Sequence, residues 1–127
     1  MSVQDTITMM EQLTQATAGT DEDHYLTVPN AGEWMLKKAY INVSTTVATD
    51  PTDYVTIALK QGSTTVASYV TTAGALTAGT AQALTNADAG ADAVFGQGDT
   101  IHLDVDKAGA GQKCVGTVTV ALQAIVS

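Results

Sequence analysis

The run of residues 53–60 constrains the fold more than any other stretch of this chain. Its larger apolar residues alternate with polar or small ones, which is the period-two pattern of a strand with one buried face. A Gln-Gly-Ser turn at residues 61–63 closes the run, and a second extended run begins at once over residues 64–71. The sequence therefore predicts a β-hairpin near mid-chain. The residues expected in the core on its first strand are Val55, Ile57 and Leu59.

A second alternating run, residues 33–47, changes phase partway along. Trp34 and Leu36 share one parity, whereas Ala39 and the apolar residues that follow it share the other. A period-two pattern can keep all of these residues on one face only through a bulge, so we expect a bulge near Lys37. The alternative is that Trp34 and Leu36 face outward against a neighbouring subunit.

The remaining pattern is also that of short strands. Residues 100–106 and 115–126 alternate, and the eleven glycines among the 127 residues predict many tight turns. The chain is about one domain long. We expect an all-β, single-domain antiparallel β-sandwich of jelly-roll or Greek-key type, with about eight strands.

The first residues differ from the rest, so we divide the chain into an N-terminal arm over residues 1–20 and a β-sandwich domain over 21–127. Apolar residues are scattered through the arm, and both a helical and an extended conformation fit their spacing. The arm is either a loose leader or a segment that orders on a neighbouring subunit or partner. The candidate contacts with such a subunit or partner are Val3, Ile7, Met9, Met10 and Leu13.

Charge and cysteine content exclude several classes of partner. The net charge is −8, with five lysines and no arginine, so we expect neither nucleic acid nor an anionic membrane surface as a partner. The single cysteine, Cys114, cannot form an intrachain disulfide. The chain starts without the pattern of a signal peptide, and no run is long and apolar enough for a membrane span, so we expect a protein that stays in a reducing cytoplasm and is not exported by the general secretory route.

No group of residues has a pattern that indicates catalysis or metal binding. A pair formed by His102 with Asp104 or Asp99 is possible on one strand, but an exposed polar row is the simpler interpretation. The spacing of the acidic group at residues 21–24 fits no calcium loop, so we expect a solvated loop there. The two histidines lack the spacing of a zinc site. We expect no catalytic residue, no cofactor, no bound metal and no small-molecule substrate.

Residues 50–59, 62–67, 75–80 and 98–105 together resemble the jelly-roll capsid decoration, or cement, proteins of tailed bacteriophages. The resemblance is a pattern of strands and turns that covers residues 33–126. It implies a non-enzymatic virion protein on the outer capsid surface, bound to the major capsid protein and commonly a homotrimer at threefold positions. The alternative is a head-fibre or adhesion module, which could bind carbohydrate through the side chains of Tyr40, Tyr54 and Tyr69.

Overall fold

The computed structural model describes residues 5–15, 17–86, 94–109 and 112–125. Within these ranges the chain forms ten β-strands, and no helix there is long and apolar enough to cross a membrane. The strands are β1 (Thr6–Leu13), β2 (Glu22–Thr27), β3 (Glu33–Val43), β4 (Val55–Gln61), β5 (Thr64–Val70), β6 (Gln82–Ala83), β7 (Thr85–Asn86), β8 (Val94–Gly96), β9 (Thr100–Lys107) and β10 (Gly116–Ala124).

The strands form two antiparallel sheets that enclose one core. Sheet I has the order β1-β10-β3-β6, with β8 also paired to β3, and sheet II has the order β2-β9-β4-β5-β7. Alternate residues of each long strand point between the sheets, as a pleated strand requires. The expected all-β fold with two antiparallel sheets is therefore confirmed. The fully buried large side chains include Leu13, Ile41, Ile57, Leu59, Phe95, Ile101, Leu103 and Leu122.

The predicted hairpin is confirmed as β4 and β5. Val55, Ile57 and Leu59 are all 0% exposed, and Gln61 pairs with Thr64 across a tight turn. Gly62 has a φ of +62°, a left-handed conformation that glycine adopts without steric cost.

The predicted bulge in β3 is confirmed at Lys37. In the pairing with β10, Ala121 lies opposite Lys38 but Leu122 lies opposite Leu36, so Lys37 is the extra residue. The bulge returns Trp34 and Leu36 to the core side, where each is 4% exposed. Trp34 donates its Nε1 hydrogen to the carbonyl of Asn30 at 3.2 Å, so the alternative of an outward Trp34 is wrong.

The N-terminal segment is extended and lies on its own domain. Residues Thr6–Leu13 pair with β10 along their whole length, from Thr6 opposite Gln123 to Leu13 opposite Gly116. Of the two conformations that the apolar spacing allowed, the structure has the strand. The division into an arm over 1–20 and a domain over 21–127 stays a prediction.

The predicted acidic loop at residues 21–24 is wrong from Glu22 onward, because Glu22 begins β2. Alternation along the strand sends Glu22 and His24 toward β1 and sends Asp23 to the outer face. The carboxylate of Glu22 finds hydrogen-bond donors there, so its charge does not require a solvated loop.

Candidate functional surfaces

The outer face of sheet II carries a cluster of charged and aromatic side chains, and we call it the acidic face. It is built by β2, β9 and β4, whose pairing places Asp23 opposite Asp104 and Tyr25 opposite His102, and Lys60 on the other side of His102. Three aspartates share this face with one lysine and one histidine. Its defining residues are Asp23, Tyr25, Lys60, His102, Asp104 and Asp106.

Short polar contacts fix the side chains of the acidic face. The Nε2 atom of His102 lies 2.8 Å from Oδ1 of Asp23, and Nζ of Lys60 donates to Oδ2 of Asp104 at 2.7 Å. The ring of Tyr25 stacks on the ring of His102, with centroids 4.6 Å apart and planes 12° from parallel. The imidazole is thereby held between an aromatic ring and a carboxylate.

Asp104 and Asp106 share a hydrogen bond along β9 and are perturbed in opposite directions. Burial and the hydrogen bond with Asp104 raise the pKa of Asp106, and the charges of Asp104 and Asp21 add to that shift. Burial also acts to raise the pKa of Asp104, but the hydrogen bonds from Lys60 and Asp106 outweigh it and lower that pKa. The pair therefore titrates as a unit in which Asp106 keeps its proton longer.

The histidine–carboxylate pair foreseen within one strand forms between two strands instead. The partner of His102 is Asp23 on β2. Asp99 instead accepts a hydrogen bond from the backbone N–H of Gly96 at 2.7 Å. Sequence reasoning missed Asp23 as the partner because the two residues are 79 positions apart.

A second polar cluster joins the two sheets where β1 and β2 lie side by side, and we call it the seam. The Glu22 carboxylate accepts hydrogen bonds from the backbone N–H groups of Thr14 at 2.9 Å and Gln15 at 3.0 Å. It also contacts Nε2 of His24 at 2.6 Å, and Nδ1 of His24 lies 3.9 Å from Oε2 of Glu11. Burial raises the pKa of Glu22, but these hydrogen bonds together lower it below its ordinary value of 4.5.

Beside the seam, Lys107 points into the sandwich and is 4% exposed. Its Nζ donates to the carbonyl of Gln15 at 2.6 Å, and its backbone N–H donates to Oδ1 of Asp21 at 2.8 Å. The sequence predicts that Lys107 opens a turn, whereas the structure makes it the last residue of β9. Nearby Cys114 is fully buried, and burial raises the pKa of its thiol to about 11.

The outer face of sheet I contrasts with the acidic face, and we call its three-strand centre the neutral face. Strand pairing sets Thr8, Ala121 and Lys38 in one row, Met10, Thr119 and Tyr40 in the next, and Gln12, Thr117 and Asn42 in the third. None of these nine side chains is a carboxylate, and one is a cation. A shallow groove at one end has Gly116 in its lining and no titratable side chain there.

The structure separates the candidate contact residues of the N-terminal segment. Met10 is 67% exposed on the neutral face, whereas Leu13 is 1% exposed in the core. Ile7 and Met9 are partly buried and pack against that core. Val3 lies outside the described residues. Within the described part of the set, Met10 is the large apolar side chain available to a partner.

Comparisons with known proteins identify no family. No family model matches the chain, and no curated protein matches it. Among solved structures, it is similar to a protein from work on Bacillus endospore appendages, described as a novel family of disulfide-linked pili. That similarity has 18% identity and a TM-score of 0.42, over 98% of this chain and 88% of the other. Similarity at this level does not indicate a shared function.

Proposed function

We propose that this protein is a structural virion protein that binds the outer surface of a phage capsid and stabilises it. The resemblance of its strand-and-turn pattern to phage decoration proteins suggests the class. The proposed partner is the phage major capsid protein, and no nucleic acid, membrane or small-molecule substrate is part of the proposal. The protein would be made in the host cytoplasm and act without catalysis.

The strand order supports a jelly-roll topology for this proposal. Both β6 and β8 pair with β3, so they can be counted as two parts of one interrupted strand. With that count, strands early and late in the sequence are neighbours in each sheet, as in β1-β10-β3 and β2-β9-β4-β5. That count leaves nine strands in the described part of the chain, and their order resembles the eight-stranded double Greek key that viral capsid domains use.

The contrast between the two outer faces carries the proposal. The nine residues of the neutral face include no carboxylate, and several are short, so covering them desolvates little charge and immobilises few long side chains. The acidic face would oppose such contact, since its aspartates would have to lose water. We therefore assign the neutral face to the capsid and the acidic face to the exterior.

The size of the neutral face favours a multivalent oligomer. Three strands about 4.8 Å apart and about eight residues long cover about 350 Å², well below the roughly 800 Å² per partner of a stable interface. Three copies acting together would bury about three times that area and gain avidity. A homotrimer at threefold or quasi-threefold positions fits this requirement.

A point substitution on the neutral face tests the proposal. Deleting the N-terminal segment would also remove Leu13 from the core, so Met10→Glu is the cleaner change. Thr27→Glu is the matched control, because it places the same charge on an exposed position of β2, the edge strand of the other sheet. Binding is measured by co-sedimentation with empty expanded capsids of the same phage.

We expect Met10→Glu to weaken capsid binding at least tenfold and Thr27→Glu to leave it nearly unchanged. Loss of binding with Thr27→Glu alone would refute the assignment of the faces. Failure of the wild-type protein to sediment with the capsids would refute the decoration function. A native mass measurement that finds only monomer at micromolar concentration would contradict the trimer.

One observation favours a second candidate, an adhesion module that binds carbohydrate. Tyr25 is 65% exposed and stands beside carboxylates, which is the combination a sugar-binding face uses. The tyrosines expected in that role are less suitable, because Tyr69 packs against the core and Tyr40 and Tyr54 are only half-exposed. A glycan array in which binding is lost with Tyr25→Ala would favour this function over capsid binding.

A further inference from the structure

We propose that Asp23, His102 and Asp104 bind a divalent transition-metal ion, with Zn²⁺ as the reference ion. The proposal is independent of the capsid-binding function and concerns the acidic face. No pattern in the sequence indicated it, because the site is assembled from β2 and β9. The spacing of Asp21, Asp23 and His24 argues against a metal site there, and in the structure Asp23 and His24 lie on opposite faces of β2.

The three donor atoms already converge. One ligand atom from each residue lies within 4.8 Å of those of the other two, and the closest pair, Nε2 of His102 and Oδ1 of Asp23, is 2.8 Å apart. Ligands at about 2.1 Å from a tetrahedral Zn²⁺ are about 3.4 Å from one another. Binding would thus require side-chain shifts of about 1 Å, which rotation about the side-chain bonds can supply without moving either strand.

The donor set suits a borderline transition metal. An imidazole nitrogen with two carboxylate oxygens is the mixed nitrogen and oxygen set that Zn²⁺, Ni²⁺ and Cu²⁺ accept. The stacked ring of Tyr25 limits the orientations of the imidazole, so less freedom is lost when a metal binds. Solvent would complete the coordination, since Asp23 is exposed.

The charge balance of the acidic face also favours a divalent cation. Asp104 is paired with Lys60, while Asp106 and Asp21 add negative charge close by. A divalent ion between Asp23 and Asp104 would compete with the Lys60 ammonium and reduce the repulsion among these carboxylates. Removing the Lys60 charge is therefore expected to tighten metal binding.

The seam supplies an internal control of similar composition. His24 also stands between two carboxylates, but Glu22 contacts its Nε2 atom and Glu11 approaches its Nδ1 atom. A single metal ion cannot bind both carboxylates and one nitrogen when the carboxylates lie against opposite nitrogens of the ring. A histidine thus lies near two carboxylates in both clusters, but the three ligand atoms converge only in the cluster of Asp23, His102 and Asp104.

The test is isothermal titration of ZnCl₂ into the tag-free, EDTA-dialysed full chain near neutral pH, with circular dichroism to verify that each variant is folded. We expect saturable binding of one ion per chain, weakened at least tenfold by His102→Ala and by Asp104→Asn. His24→Ala should change the affinity less than twofold, and Lys60→Met should increase it. Removal of a metal ligand or its support commonly costs 10- to 100-fold in affinity.

A second readout locates the ion. Cu²⁺ is expected to broaden the NMR signals of the His102 and Tyr25 rings before those of His24. The proposal is overturned if Zn²⁺ gives no saturable heat, if His102→Ala binds as the wild type does, or if His24→Ala removes the binding. Should His102→Ala fail to fold, Asp23→Asn provides the same comparison, and unchanged affinity in that variant would overturn the proposal as well.

Discussion

Glu22 offers the sharpest test of how the two sheets are held together. Its carboxylate accepts hydrogen bonds from Thr14 N and Gln15 N on different oxygen atoms and contacts His24 Nε2 on the same oxygen as Thr14. Glu22→Gln keeps the shape of the side chain but turns one of those oxygens into a donor. At least one charge-assisted hydrogen bond is then lost, and each is worth about 1.5–3 kcal/mol.

We expect Glu22→Gln to lower the free energy of unfolding by about 2 kcal/mol at neutral pH, toward the lower end because water can reach part of the seam. For a domain of this size that corresponds to a fall in Tm of roughly 6–10 °C. Urea denaturation at several pH values measures the difference. Glu11→Gln is the control: the Glu11 carboxylate lies farther from His24 and accepts a single local hydrogen bond, from Gln12 N, so it should cost less than about 0.5 kcal/mol.

The stabilisation that the Glu22 carboxylate contributes depends on pH with a defined sign. Because the pKa of Glu22 is lowered in the folded protein, the stabilisation by its charged form is complete above the ordinary value of 4.5. It is lost as the pH falls through the lowered, folded-state pKa. The wild type and Glu22→Gln should therefore converge in acid. A difference that persists unchanged in acid, or a difference at neutral pH no larger than that of Glu11→Gln, would refute this account of the seam.

Two further predictions concern β9 and β10. Gly116→Ala should lower the free energy of unfolding by more than about 2 kcal/mol in urea denaturation, because the added Cβ would collide with the backbone of Asn42 and Val43 on β3. The control is Gly98→Ala, which has open space around the added Cβ and should lower the free energy of unfolding by about 1 kcal/mol because of its φ of +86°. Equal losses of stability in the two variants would contradict the predicted collision. Asp106→Asn should raise the free energy of unfolding at neutral pH by less than about 1 kcal/mol. The pKa of Asp106 is raised in the folded protein, so its charged form destabilises the fold once the pH exceeds that folded-state pKa. Thermal melts that show a lower Tm for the variant at neutral pH would refute this prediction.

The parts of the fold that follow from local pattern were predictable. Alternation located β4, β9 and β10, and the change of parity beside Lys37 located the bulge, because side-chain period is a property of consecutive residues. The core rows followed for the same reason. The pairing of Thr6 with Gln123 has no such local signal, so the placement of the N-terminal segment required the structure.

The candidate sites were less predictable than the fold. Asp23 meets His102 and Asp104 only because β2 and β9 pair in one register, and a shift of one residue would send Asp23 to the other face. Glu22 and Lys107 were misplaced for a different reason. Charge near a turn normally indicates solvent, but here each side chain has a specific hydrogen-bond partner that offsets its burial.

The buried thiol of Cys114 can report how often the folded chain opens locally. Alkylation requires a thiolate that reagent can reach, whereas this sulfur is fully buried and the pKa of its thiol is raised to about 11. Labelling at neutral pH should therefore proceed only through molecules in which the start of β10 has separated from its neighbours. The same protection means that any covalent link from Cys114 to another molecule would have to wait for that separation, so cross-linking yield would report strand opening rather than proximity.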